Sequence, residues 1–85
     1  MEYKKHCEHC KKVLGNEWYV VHRWLDEFSK QDIANHRRAR HHPGGIAEVR
    51  KKWGTEAEQA AIIHIMDDFG FIPDEKWYNE NWIEN

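Results

Sequence analysis

The sequence predicts an all-α domain, a small bundle of four to five helices with at most a short β segment near Phe71. Three observations carry this. Trp18, Val21, Leu25 and Phe28 recur at helical spacing. Thr55 and Glu58 have the S/T-x-x-E spacing of a capping box, and Gly70 stands where the apolar run after them should stop. Glycine and proline punctuate the chain between such runs, at Gly15, Pro43-Gly44-Gly45 and Gly54. With 85 residues the chain makes one domain, short enough that a metal, a disulfide or a partner subunit would help it hold together.

Taken in order, the segment up to Leu14 reads as basic and irregular, and it holds both cysteines. Asn16 is the candidate cap of a helix over Glu17 to Lys30. A second helix is expected over Asp32 to His41, its apolar side limited to Ile33, Ala34 and Ala39, with Pro43-Gly44-Gly45 ending it. Ile46, Val49 and Trp53 suggest a short third helix that stops at Gly54. The capping box starts a fourth at Thr55. Along it Ala57, Ala61, His64 and Asp68 share one face. Phe71-Ile72-Pro73 reads as extended, and Asp74 as the cap of a last short helix carrying Trp77, Tyr78 and Trp82.

Hydrophobic residues make up 40 % of the chain, enough for one core, and five tryptophans are more than one small core readily hides. The formal net charge of −2 gives no global field that would attract nucleic acid. Met1 to Lys12 is charged and lacks an apolar run, and no stretch reaches the length of a membrane span, so a cytoplasmic location is expected. Two cysteines then read as reduced thiols.

Three motifs could carry chemistry. His6-Cys7-Glu8-His9-Cys10 places thiol and imidazole donors close together, a set that suits zinc. It supplies only one C-x-x-C pair, so further ligands must come from elsewhere; otherwise these are unligated surface thiols. A thioredoxin-like site would need a βαβ setting, which is lacking. An HNH-nuclease likeness fails for want of a second C-x-x-C. The second motif is the matched pair His22-x-x-x-Asp26 and His64-x-x-x-Asp68 with the His41-His42 doublet between them. A separation of four puts imidazole and carboxylate on one helical face, able to share an ion or to let the acid orient the ring. The bland alternative is a pair of solvated surface contacts. The third is His36-Arg37-Arg38-Ala39-Arg40-His41-His42. Its arginine forks suit phosphate or carboxylate, although a charge run is also what a solvated face looks like.

In this order the motifs resemble those of a family of small bacterial and phage domains of unknown function. Its pattern is a His-His pair before a glycine, then H-x-W-x-D-E-S-K, H-R-x-x-R-H-H-x-x-G-I, H-x-x-x-D-x-G-x-I-P and a tryptophan. The matching residues run from His6-Cys7 and Gly15 through His22 to Lys30 (with one inserted residue), His36 to Ile46, His64 to Pro73, and Trp77. This chain is shorter between Trp53 and His64, and has Cys7 where the family has histidine. A cysteine in place of a histidine suits a metal ligand better than a catalytic base. The resemblance implies no particular activity.

The leading expectation is a domain that binds zinc or another divalent transition metal, with ligands drawn from His6, Cys7, Cys10, His22, Asp26, His41, His42, His64 and Asp68. In a hydrolase version a water activated by the ion attacks a phosphate-bearing substrate held by Arg37 and Arg40, and Glu48 or Asp67 is the general base. The competing expectation is a non-enzymatic phage-type inhibitor or sequestering module. It would grip an anionic small molecule, a nucleotide, nucleic acid or a host protein, with self-association open and no membrane involved.

Overall fold

In the computed structural model, residues 3–28 and 36–81 are described. They form six helices and no strand: α1 (Tyr3–Leu14), α2 (Tyr19–Leu25), α3 (His36–Arg40), α4 (Pro43–Trp53), α5 (Thr55–Phe69) and α6 (Glu75–Asn81). Helix α5 is the central post, packed against α4, α1 and α2. The core gathers Cys10, Val21, Leu25, Ile46, Val49, Ala57, Ala60, Ala61 and Ile65, with Trp18, Trp24 and Trp53 half-buried around it. Alanines on α5 let its neighbours come close, and the tryptophan rings fill the edges. None of the helices is long and apolar enough to cross a membrane, among the described residues.

Helix α1 replaces the irregular segment expected from sequence. Its inward face is His6, Cys7 and Cys10, so burial there is carried by side chains that do not register as an apolar stripe. Lys11 and Lys12 sit in its last turn, where the helix dipole favours cations. Gly15, at φ 80°, ends it and donates its N–H to Lys11 O at 2.8 Å.

Helix α2 is shorter than its apolar spacing suggests. Asn16 does not cap it directly; its Oδ1 accepts the N–H of Trp18 at 2.8 Å, and Trp18 (φ 49°) stands at the N-cap position. At the other end Arg40 Nη1 donates to Trp24 O at 2.6 Å. That carbonyl, which a continuing helix would bond to residue 28, takes the Arg40 cation and the N–H of Glu27 at 3.4 Å where the chain turns at Asp26. Phe28 stays exposed, under the Arg40 guanidinium. Ser29 and Lys30, the expected first part of the second helix (Asp32, Ile33 and Ala34), and Trp82 lie outside the described residues.

Pro43-Gly44-Gly45 does not merely stop a helix; it starts α4. His42 is the N-cap, extended at φ −160°, its Nδ1 accepting from Gly45 N–H at 3.2 Å, and Pro43 takes the first helical position. A Cβ built on Gly45 would lie 1.9 Å from Arg40 O, so α3 and α4 meet where no side chain fits. Gly54 ends α4 and also takes the N-cap position of α5 that the capping box assigned to Thr55, with no side-chain cap bond. Gly70 (φ 81°) ends α5 as expected, donating to Met66 O at 2.7 Å. Asp74 caps α6 as expected, accepting from Trp77 N–H at 2.8 Å. Tyr78 then reaches back, 1 % exposed, to donate its hydroxyl to His41 O at 2.7 Å.

Candidate metal centre

Four fully buried imidazoles, His6, His22, His41 and His64, sit together between α1, α2, α5 and the α3–α4 corner. Helix α5 delivers His64 and Asp68 one turn apart. The turn after α2 delivers Asp26, and the corner pinned by Tyr78 delivers His41. Donor atoms from Asp26, His41, His64 and Asp68 all lie within 4.8 Å of one another. The Nε2 atoms of His41 and His64 are 3.1 Å apart. Asp26 Oδ1 is 3.3 Å from each of them, and Asp68 Oδ2 is 3.4 Å from His41 and 3.5 Å from His64. A tetrahedral ion with bonds of about 2.0–2.1 Å separates its ligands by about 3.3–3.4 Å. The four residues are therefore a group able to hold a metal ion.

Asp68 and His64 are each held by further neighbours. Asp68 Oδ2 takes Arg37 Nε at 3.3 Å, and its other oxygen faces His6 Nε2 at 3.2 Å. His6 stacks on His64 with ring centroids 3.7 Å apart, and neither of its nitrogens makes a hydrogen bond among the described residues. His64 Nδ1, pointing away from the group, meets His22 Nδ1 at 2.9 Å, and His22 Nε2 meets Glu17 O at 2.9 Å.

The electrostatics divide the histidines. Burial disfavours charge on His41, but Asp26 and Asp68 outweigh it and raise the pKa. Burial dominates at His64 and lowers it to about 4 despite Asp26. At His22 burial, joined by His64 and His6, also lowers the value to about 4. Burial opposes ionisation of Asp26 and Asp68 too. The imidazoles that face them, His41 and His64 at Asp26 and His41 and His6 at Asp68, nevertheless hold both well below the usual carboxylate range. Two carboxylates thus face one imidazole whose charged form they favour and one whose charged form burial disfavours.

Of the residues singled out in the sequence, the fold brings Asp26, His41, His64 and Asp68 into one group, with His6, His22 and Arg37 against it. It does not bring the others. Cys10 is sealed in the apolar core, where burial above all pushes its thiol up to about 11. Cys7 is buried beside Tyr3, its pKa also raised chiefly by burial. His42 is spent as a helix cap, with Nε2 donating to Ala39 O at 3.0 Å. Glu48 is exposed on α4. Asp67 turns both oxygens to His9 Nδ1, at 2.9 Å each, and flanks the group through His6, whose Nδ1 is 3.5 Å from Asp67 Oδ2. Arg40 stacks over Trp24 and Phe28 and pairs with Glu27 at 2.6 Å, a clamp on the end of α2 rather than an open anion fork. His9, Glu17 and Tyr78 were not singled out as site residues. The three-residue separation of His6 and His9 could have flagged His9 once α1 is seen as a helix; a backbone carbonyl and a long-range hydroxyl leave no spacing signal.

Comparison of the chain with protein-family models, with curated proteins and with solved structures gives no match.

Proposed function

We propose that this domain binds one divalent transition-metal ion of the zinc class through His41, His64, Asp26 and Asp68, and that the ion ties α5 to the turn after α2 and to the α3–α4 corner. The observation that carries this is the set of five donor–donor separations between 3.1 and 3.5 Å, close to the edges of a tetrahedron. Two imidazoles and two carboxylates suit zinc or a neighbouring first-row ion; Ca²⁺ and Mg²⁺ favour all-oxygen shells. Four protein ligands make a closed site, which favours an ion that holds the fold over one that turns over substrate. We also read the chain as a member of the small bacterial and phage family it resembles, because each of its three longer motif blocks supplies part of the donor set.

One observation favours a hydrolytic role. Asp26 and Arg37 keep 22 % and 32 % of their side chains exposed, so the rim they form is where a phosphate-bearing substrate would approach the ion. The test is elemental analysis of untagged protein beside Asp26→Asn and Asp68→Asn variants. About one ion per chain in the wild type and loss of it in both variants supports the assignment. A metal-free wild type that takes up no ion on dialysis against zinc, cobalt, nickel or manganese overturns it.

A further inference from the structure

His22 shares the His-x-x-x-Asp spacing of His64 and sits in the same buried cluster, yet its nitrogens point elsewhere. Its Nδ1 faces His64 Nδ1 at 2.9 Å, and its Nε2 faces the backbone oxygen of Glu17 at 2.9 Å. The two nitrogens of an imidazole point away from one another, so a group on His64 Nδ1 stands on the far side of that ring from Asp26, His41 and Asp68. His22 therefore cannot join His64 in holding an ion among Asp26, His41 and Asp68 in this arrangement.

Hydrogen-bond directionality gives it a different task. A carbonyl oxygen only accepts, so the Glu17 carbonyl fixes a proton on His22 Nε2. The remaining nitrogen of a neutral His22 is then an acceptor, and the short contact to His64 Nδ1 requires the proton there to belong to His64. His64 consequently holds Nδ1–H, and its Nε2 carries a bare lone pair. That is the atom aimed at His41 Nε2 and Asp26 Oδ1, at 3.1 and 3.3 Å. The opposite assignment, with a doubly protonated His22, would put the proton of a neutral His64 on Nε2 and turn it from ligand to donor.

Resting on the metal-binding reading above, we infer that His22 is a positioning residue: together with the Glu17 carbonyl it fixes His64 in the tautomer whose Nε2 is free to ligate the ion. The same relay fixes the ring's rotation, since turning His64 about its Cβ–Cγ bond breaks the contact with His22. Glu17 enters this relay through its backbone oxygen. The geometry of α2 makes the relay possible. Trp18 at φ 49° bends the chain just before the helix, so that Glu17 O faces back toward His22 five residues later. Partners of this kind behind a ligating histidine are worth tenfold to a hundredfold in metal affinity.

The experiment compares wild type with His22→Phe and His22→Gln, with zinc affinity measured by chelator competition and zinc content on the same samples. Phenylalanine keeps the ring and removes both polar contacts. Glutamine restores a donor for Glu17 O and an acceptor for His64 Nδ1–H. We expect His22→Phe to bind about 10–100-fold more weakly at unchanged stoichiometry, and His22→Gln to stay within a few-fold of wild type. Long-range ¹H–¹⁵N spectra of the zinc-loaded wild type should show His64 protonated at Nδ1 and ligated at Nε2. Wild-type affinity in a folded His22→Phe, or His64 ligated through Nδ1, overturns the inference. If His22→Phe does not fold, the wild-type spectrum decides alone. A wild type that binds no ion removes the underlying reading instead. The relay is then judged separately, since the metal-free protein must still show His64 as the Nδ1–H tautomer.

Discussion

Adding a divalent ion to metal-free protein should raise its melting temperature by an amount that can be worked out in advance. Asp26, His41 and His64 come from separate segments, so the unfolded chain keeps only the His64–Asp68 pair close together. An ion that binds only the fold stabilises it by about 1.4 kcal/mol at ten times its dissociation constant and by about 2.7 kcal/mol at a hundred times. Unfolding entropy near about 2.1 cal/mol/K per residue, over 85 residues, gives about 0.18 kcal/mol per kelvin. The expected upward shifts are therefore about 8 °C and about 15 °C. The unfolded chain returns part of this, because His6-Cys7-Glu8-His9-Cys10 can itself take up zinc; cobalt or manganese, which such thiols hold less tightly, should come closer to the full values. Differential scanning calorimetry of EDTA-stripped protein, with and without each ion, is the assay. Asp68→Asn should show little shift, having lost a ligand while keeping its shape. Identical melting curves with every ion, or an equal shift in Asp68→Asn, would refute the reasoning.

Three further outcomes are expected. Tyr78→Phe removes the 2.7 Å bond to the buried His41 carbonyl and should cost about 1–2 kcal/mol in urea unfolding, a loss absent if that hydroxyl contributes nothing. Arg40→Lys should lower stability without changing phosphate binding, since lysine cannot both cap Trp24 O and stack on two rings, whereas Arg37→Lys should weaken phosphate binding with metal content unchanged; isothermal titration beside a melt separates the two. Metal-free protein should lose stability as the pH falls from about 6.5 to 4, read from urea midpoints. His22 and His64 have folded pKa values near 4, so the unfolded chain takes up protons in that window that these two refuse in the fold. The raised His41 works the other way, stabilising below 6.5 and fading as the pH rises through its folded value, but it is one group against two. A midpoint equal or higher at pH 5 than at pH 7.5 would count against this assignment.

The helical class and the strongest helix boundaries were legible because they rest on local signals: the apolar run of α5, Gly70 after it, Asp74 before α6. Helix α1 was not, because its buried face is two cysteines and a histidine, which as a sequence look like a polar motif. The same five residues drew attention as a metal site, yet once helical they point Cys10 into the core and only His6 toward the cluster. The pairs His22–Asp26 and His64–Asp68 were visible by spacing alone. Their different fates were not, since these depend on which nitrogen meets which neighbour across helices. Arg40 illustrates the same limit. Its place in a basic run suggests an anion site, and only the packed fold shows the guanidinium committed to Trp24, Phe28 and Glu27.

The contact between Gly45 and the Arg40 carbonyl bears on how this chain can change over generations. His41 lies between those two residues, so the room needed by any side chain at 45 would have to come from moving the segment that presents it. Drift elsewhere in the domain meets graded penalties, with core volumes traded against one another. Position 45 offers no such gradient: the missing methyl group is itself what sets the distance between two helices. Descendants that keep the cluster should keep that glycine, while at the neighbouring Gly44 an imagined Cβ meets a side chain, the His42 ring at 3.0 Å, in place of a backbone.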